Sequence, residues 1–134
     1  MKAIQIRETG GPEVLKLAEL PIPQPGPGQV LIRVEATGVN FIEIYFRKGT
    51  YKAALPLVPG SEAAGTVEEL GPGVTGFAAG DAVASVSVLG SYAEYALVPA
   101  AGLVKVPEGV TMEQAAAAML QGMTAHYLAT STFP

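Results

Sequence analysis

Val30-Leu31-Ile32-Arg33-Val34-Glu35-Ala36 sets apolar residues at even positions against Leu31, Arg33 and Glu35 at odd ones. A period of two sends successive side chains to opposite faces, so the segment predicts a half-buried β-strand with Val30, Ile32, Val34 and Ala36 facing a core. Working outward, residues 2–7, 14–20, 63–70, 82–88, 92–98 and 103–106 have the same strand character. Gly10-Gly11-Pro12, Pro21-Ile22-Pro23-Gln24-Pro25-Gly26-Pro27-Gly28, Gly71-Pro72-Gly73 and Gly80-Asp81 lie between them, all turn or loop chemistry. Many short strands so punctuated predict a β-barrel or sandwich.

The last quarter changes character. Thr111 followed by Gln114 is a capping box, predicting a helix through residues 115–119, and residues 121–128 predict a second helical segment. On that segment Thr124 and Tyr127, three apart, share a face. The Ala run at 115–118 reads as helix filler. The fold class expected is therefore mainly β with C-terminal helices.

At 134 residues, 49% hydrophobic and 15% charged, the chain is of ordinary single-domain size and globular composition. Seven of its eight Lys/Arg lie in residues 1–52, whereas residues 53–134 hold only Lys105 against seven acids. With no basic stripe or cationic groove, nucleic acid and anionic membrane are excluded as partner expectations. No apolar run approaches the ~20 residues of a membrane span. The N-terminus alternates too early for a signal-peptide core, so a cytoplasmic protein is the default expectation.

Gly60-Ser61-Glu62-Ala63-Ala64-Gly65, followed by Gly71 and Val74, matches the Gly-His-Glu signature of zinc alcohol dehydrogenases, with Ser61 where the histidine should be. Catalytic zinc needs three protein ligands, mostly His and Cys, and that family's structural zinc needs four thiolates. This chain has no Cys and a single histidine, His126. The reading is a zinc-free site with no metal ligands. Taken alone, the glycines read equally well as turns flanking a strand. Gly71-Pro72-Gly73-Val74-Thr75-Gly76 also satisfies the bare dinucleotide fingerprint, but Phe77-Ala78-Ala79-Gly80-Asp81 leads into another strand rather than a helix. It is read as a turn of the barrel.

The segment from Asn40 to Tyr51, Asn-Phe-Ile-Glu-Ile-Tyr-Phe-Arg-Lys-Gly-Thr-Tyr, resembles the quinone oxidoreductase (zeta-crystallin-like) branch of the medium-chain dehydrogenase/reductase superfamily. Gly10-Gly11-Pro12-Glu13-Val14-Leu15, Gly80-Asp81-Ala82-Val83, Gly90-Ser91-Tyr92-Ala93-Glu94-Tyr95 and Gly122-Met123-Thr124 match in family order. In that branch the missing zinc ligands are expected, so Ser61 becomes a match. The resemblance implies that residues 1–110 form a GroES-like catalytic domain, a partly open β-barrel, and that residues 111–134 lead toward a Rossmann nucleotide-binding domain lacking from this chain. It implies an NADPH-dependent reductase passing hydride to a quinone, homodimeric at full length. Reduction of an activated alkene, as in enoyl and alkenal reductases, is the close alternative, and a non-catalytic β-barrel interaction module is a third reading. The 134-residue chain is expected to be inactive alone.

By the same resemblance Asn40, Tyr45 and Tyr51 are the catalytic residues: Asn40 lies beside the nicotinamide ring, Tyr45 and Tyr51 line the cleft near cofactor or quinone, and Arg47 helps hold a cofactor phosphate. Thr124 and Tyr127 are cofactor contacts on the linking helix, and Ser61 faces the substrate. Each has a plainer alternative: an Asx turn for Asn40, core packing for the tyrosines, a solvated surface position for Arg47, and a hydroxyl filling the vacated ligand position for Ser61. Glu62 is expected to serve a structural hydrogen-bonding role, and His126 to be exposed on a helix. Met119, Leu120 and Met123 are expected to present an apolar face toward the following domain or another copy.

Overall fold

The computed structural model describes residues 1–132. Strand β3 (Gln29–Thr37), the longest, is an inner strand of a five-stranded antiparallel sheet of order β6-β3-β4-β5-β7, with β4 at Ala63–Leu70, β5 at Ala82–Ser85, β6 at Tyr95–Pro99 and β7 at Val104–Lys105. A two-stranded sheet of β1 (Lys2–Gln5) and β2 (Lys16–Glu19) is joined to it through Ile4 N–H to Tyr92 O and Glu94 N–H to Lys2 O. The edge strands β6 and β7 do not pair with each other, so the barrel stays partly open.

The alternation that identifies β3 holds only over its second half. Val30 and Ile32 enter the main core with Val67, Val83 and Val98, and fully burying a Val or Ile contributes ~1.5–3 kcal/mol. Leu31, on the opposite face, is buried as well, because the first half of this inner strand is covered on both sides. Most other strands come out shorter than their sequence patterns. Val14, for instance, belongs to a 3₁₀ turn (Pro12–Val14), where Pro fixes the turn's first φ.

Ala63 and Ala64 show the pleat working across two cores: Ala63 joins the valine cluster, and Ala64 meets Ala84, Ala115 and Ala116 behind the sheet. Ala115 and Ala116 are therefore packing residues and not filler, since only small side chains let α2 (Met112–Ala117) lie this close to β4 and β5. The predicted cap is present, with Gln114 N–H donating to Thr111 Oγ at 3.2 Å and Thr111 N–H to Gln114 Oε1 at 3.0 Å. The two helical segments expected after it are one continuous run. From α2 it passes through a π turn (Ala118–Gly122) into α3 (Met123–Tyr127) and a second π turn (Leu128–Thr132).

Two glycines of the signature are needed for close backbone approach. A Cβ on Gly65, in mid-strand, would overlap the Arg33 carbonyl, and one on Gly71 would overlap that of Gly26. The fingerprint-like stretch 71–76 is a turn between β4 and β5, with no helix after it. No described helix is long and apolar enough to cross a membrane.

Candidate functional site

Helix α1 (Phe41–Lys48) was not legible as an element, and it carries most of the site. Its start is Asn40, extended at φ −124° and ψ 155°, whose N–H donates to the Glu43 carboxylate at 2.6 Å. Arg47 and Lys48 stand in its last turn and Gly49, left-handed at φ 78°, ends it. The Asn-x-x-Glu start and the Gly stop were the available signals. Five apolar β-favouring residues, Phe41, Ile42, Ile44, Tyr45 and Phe46, obscured them.

The helix is inverted. Glu43 and Arg47, one turn apart, are 7% and 8% exposed, while Phe41 is 76% and Tyr45 40% exposed. A soluble helix ordinarily buries its apolar side. Here the charged side is buried because it has partners: Ser61 Oγ donates to Glu43 Oε1 at 3.3 Å, and Arg47 Nη1 donates to Gly10 O at 3.4 Å. The Glu43 carboxylate also acts at a distance. The Tyr92 phenol is held above its usual 10.0, first by burial and second by that negative charge.

Beside α1 lies a slot of about 460 Å³ with apolar walls that include Ile42, Phe46, Leu57, Pro59, Val88 and Leu89. Glu43 and Ser61 are its only side chains with polar ends. The arrangement suits a mainly apolar molecule with one polar edge.

The remaining candidates fall into three groups. Asn40 is buried, and its Nδ2 donates to Glu62 Oε2 at 2.9 Å while Gln121 Nε2 approaches its Oδ1 at 3.5 Å. Glu62 also accepts the Leu120 N–H, so it has the hydrogen-bonding role expected of it. Tyr45 and Tyr51 meet edge to face with ring centroids 5.3 Å apart, and Phe46 meets Tyr51 at 5.8 Å. Both tyrosines are substantially exposed, which removes the core-packing reading. Arg47 lies at the other end of α1 beneath the Gly10 loop, near enough to Glu13 for its charge to help lower that carboxyl's pKa, after two backbone hydrogen bonds. It is buried, so it is not a solvated surface residue.

Thr124, His126 and Tyr127 are exposed on α3, so Tyr127 is not packed in a core. Met123 is exposed and Met119 and Leu120 are partly so, as the apolar-face expectation required. Glu43, the Leu120 amide and Gln121 are site components that sequence reasoning missed. Among the described residues no group of three or more His, Cys, Asp or Glu is arranged to hold a metal.

Known proteins share this architecture. The family described as the alcohol dehydrogenase GroES-like domain matches residues 26–108. A quinone oxidoreductase of Pseudomonas aeruginosa is 46% identical over 134 residues, covering 98% of this chain and 41% of the relative. A 2-haloacrylate reductase of Burkholderia is 43% identical over 133 residues, with coverages of 94% and 40%. A mycobacterial protein solved in complex with NADPH superposes with a TM-score of 0.95 at 54% identity, over 100% of this chain and 42% of that one. The chain thus spans about two fifths of the length of these proteins. With the sheet order, the open barrel and the ordered motifs, these matches show that the chain belongs to the alcohol dehydrogenase GroES-like domain family.

Proposed function

We propose that this chain is the acceptor-side portion, residues 1–110 with the helical lead 111–134, of a cytoplasmic, homodimeric, NADPH-dependent quinone reductase that works without zinc. The observation that carries the reading is the inverted helix α1, which turns aromatic and apolar side chains outward beside the slot and starts at a buried amide.

The donor set fits one end of the cofactor. Asn40 retains one amide proton and lone-pair capacity for a carboxamide, and Tyr45 and Tyr51 offer flat faces to a ring. Thr124 and Tyr127 add a hydroxyl and a ring from α3. For the phosphates the assigned residue is Arg47, whose guanidinium is engaged with Gly10, and the described residues hold no Gly-rich strand-turn-helix unit. When bound, NADPH supplies the hydride. The chain's own residues hold the ring edge and orient the acceptor in the slot, where position alone contributes much of the acceleration. Ser61 is the slot's one hydroxyl. Its 3.3 Å bond to Glu43 is at the weak end, so rotation to an acceptor carbonyl costs little. Quinones are already electrophilic, which removes the need for a Lewis acid, and a chain with no Cys and one exposed His supplies no zinc site of the family type.

The similarity to a 2-haloacrylate reductase favours an activated alkene as the second reading, through the same slot. The test is NADPH oxidation by the protein that carries this chain, with 1,4-benzoquinone and with 2-chloroacrylate. Quinone turnover that falls roughly 100-fold in kcat/KM in Asn40→Ala is expected. Turnover of the alkene alone selects the second reading, and no turnover of either acceptor leaves a binding module. The 134-residue chain by itself is expected to be silent, and measurable turnover by it would overturn the division of roles.

A further inference from the structure

Glu62 is fully buried, and among the described residues neither of the ion pairs involves it. A buried carboxylate without a cation persists only where hydrogen bonds satisfy it. Its two oxygens have separate donors. Oε2 takes the Asn40 Nδ2 at 2.9 Å, and Oε1 takes the backbone N–H of Leu120 at 2.5 Å. Gly38 makes room for this group, because a Cβ there would overlap the carboxylate. The second donor comes from inside a helix, where an amide ordinarily bonds to its own ladder. Leu120 is the middle residue of the π turn Ala118–Gly122, and widened turns of this kind are where a side-chain acceptor inserts.

We propose that Glu62 is a positioning residue, a latch whose carboxylate fixes the orientation of the Asn40 amide and at the same time pins the C-terminal helical run to the sheet. With Nδ2 committed to Glu62, Asn40 must turn Oδ1 the other way, toward Gln121 on the same helical run. A shift of that run away from the sheet breaks the Leu120 bond and frees the amide together. The latch itself stands apart from the proposed reductase activity. Its consequence for hydride transfer rests on that reading.

The chain offers an unusually clean readout, since Asn40 is its only asparagine. Selective ¹⁵N-Asn labelling leaves a single side-chain amide pair to follow by NMR. In Glu62→Gln one oxygen becomes an NH₂ and must face a donor, so Asn40 flips or the Leu120 bond is lost. The expected result is that the Asn40 pair shifts, or the Leu120 amide exchanges at least about tenfold faster as the loss of a charge-assisted bond requires, or both. The exposed control Glu69→Gln leaves both unchanged. A folded Glu62→Gln chain with wild-type signals at both sites overturns the latch. Should that variant not fold, the wild-type chain carries the test alone, through a scalar coupling across the hydrogen bond from Leu120 ¹⁵N to the Glu62 carboxyl ¹³C. Its presence supports the latch and its absence overturns it. In the full-length reductase, Glu62→Gln is expected to lower kcat more than it raises the acceptor KM, with partial rescue by Glu62→Asp. If the NMR signatures move and turnover does not, the latch stands and the role of Asn40 at the cofactor falls.

Discussion

Gly65→Ala tests the claim that the signature glycines are there for close approach. Gly65 pairs with Val34 beside a bulge in β3, and its backbone lacks the positive φ that would make any side chain strained. The substitution is therefore a purely steric one: the new methyl lands on the Arg33 carbonyl, a backbone atom that no rotamer change can move. Relief requires β3 and β4 to part, with overpacking of ~1–3 kcal/mol. It also weakens the adjoining ladder bonds at ~1 kcal/mol each. We expect a loss of about 3–5 kcal/mol, a large share of a stability of order 5–15 kcal/mol. In urea, at a slope of about 2 kcal/mol/M, the midpoint falls by roughly 2 M. Gly73→Ala is the contrast. Nothing lies within 4 Å of its added methyl, but its φ is +79°, so the cost is the conformational ~1–2 kcal/mol alone. If Gly65→Ala is no worse than Gly73→Ala, the steric account of the motif is wrong.

Two further outcomes are expected. Thr111→Ala removes the side-chain cap of α2 and should cost about 1 kcal/mol, read as a shift in the thermal midpoint, while Thr111→Ser should be close to neutral. The Asp81 carboxyl is held below its usual 3.8, first by its hydrogen bond from Lys105 and then by the Ala78 N–H. An acid whose pKa is lower in the folded state stabilises the fold above its unfolded pKa and loses that contribution as pH falls through the lowered value. Asp81→Asn should therefore flatten the acid limb of stability below about pH 4 and leave the pH dependence near neutrality unchanged.

The strands were legible because their signal is local. Alternation from Val30 to Ala36, and turn residues between segments, depend only on neighbours along the chain, and the same holds for the Thr111 cap. Family-order motifs carried the rest of the architecture. Helix α1 was missed although its cap and stop were in plain view. Phe41 and Tyr45 face outward and Glu43 and Arg47 inward, which reverses the pattern that sequence periodicity is read by.

By itself the sequence determined the β class, the C-terminal helical run, the absence of thiolate ligands and the replacement of the zinc histidine by Ser61. Only the tertiary structure decided that Glu43 and Arg47 are buried, that Ala115 and Ala116 are core, and that Glu62 joins Asn40 to the Leu120 amide across 58 residues. The physical reason is common to all three. A charge becomes buriable, and a small residue becomes necessary, through partners brought from distant parts of the chain, and those are present only once the sheet and helices have packed.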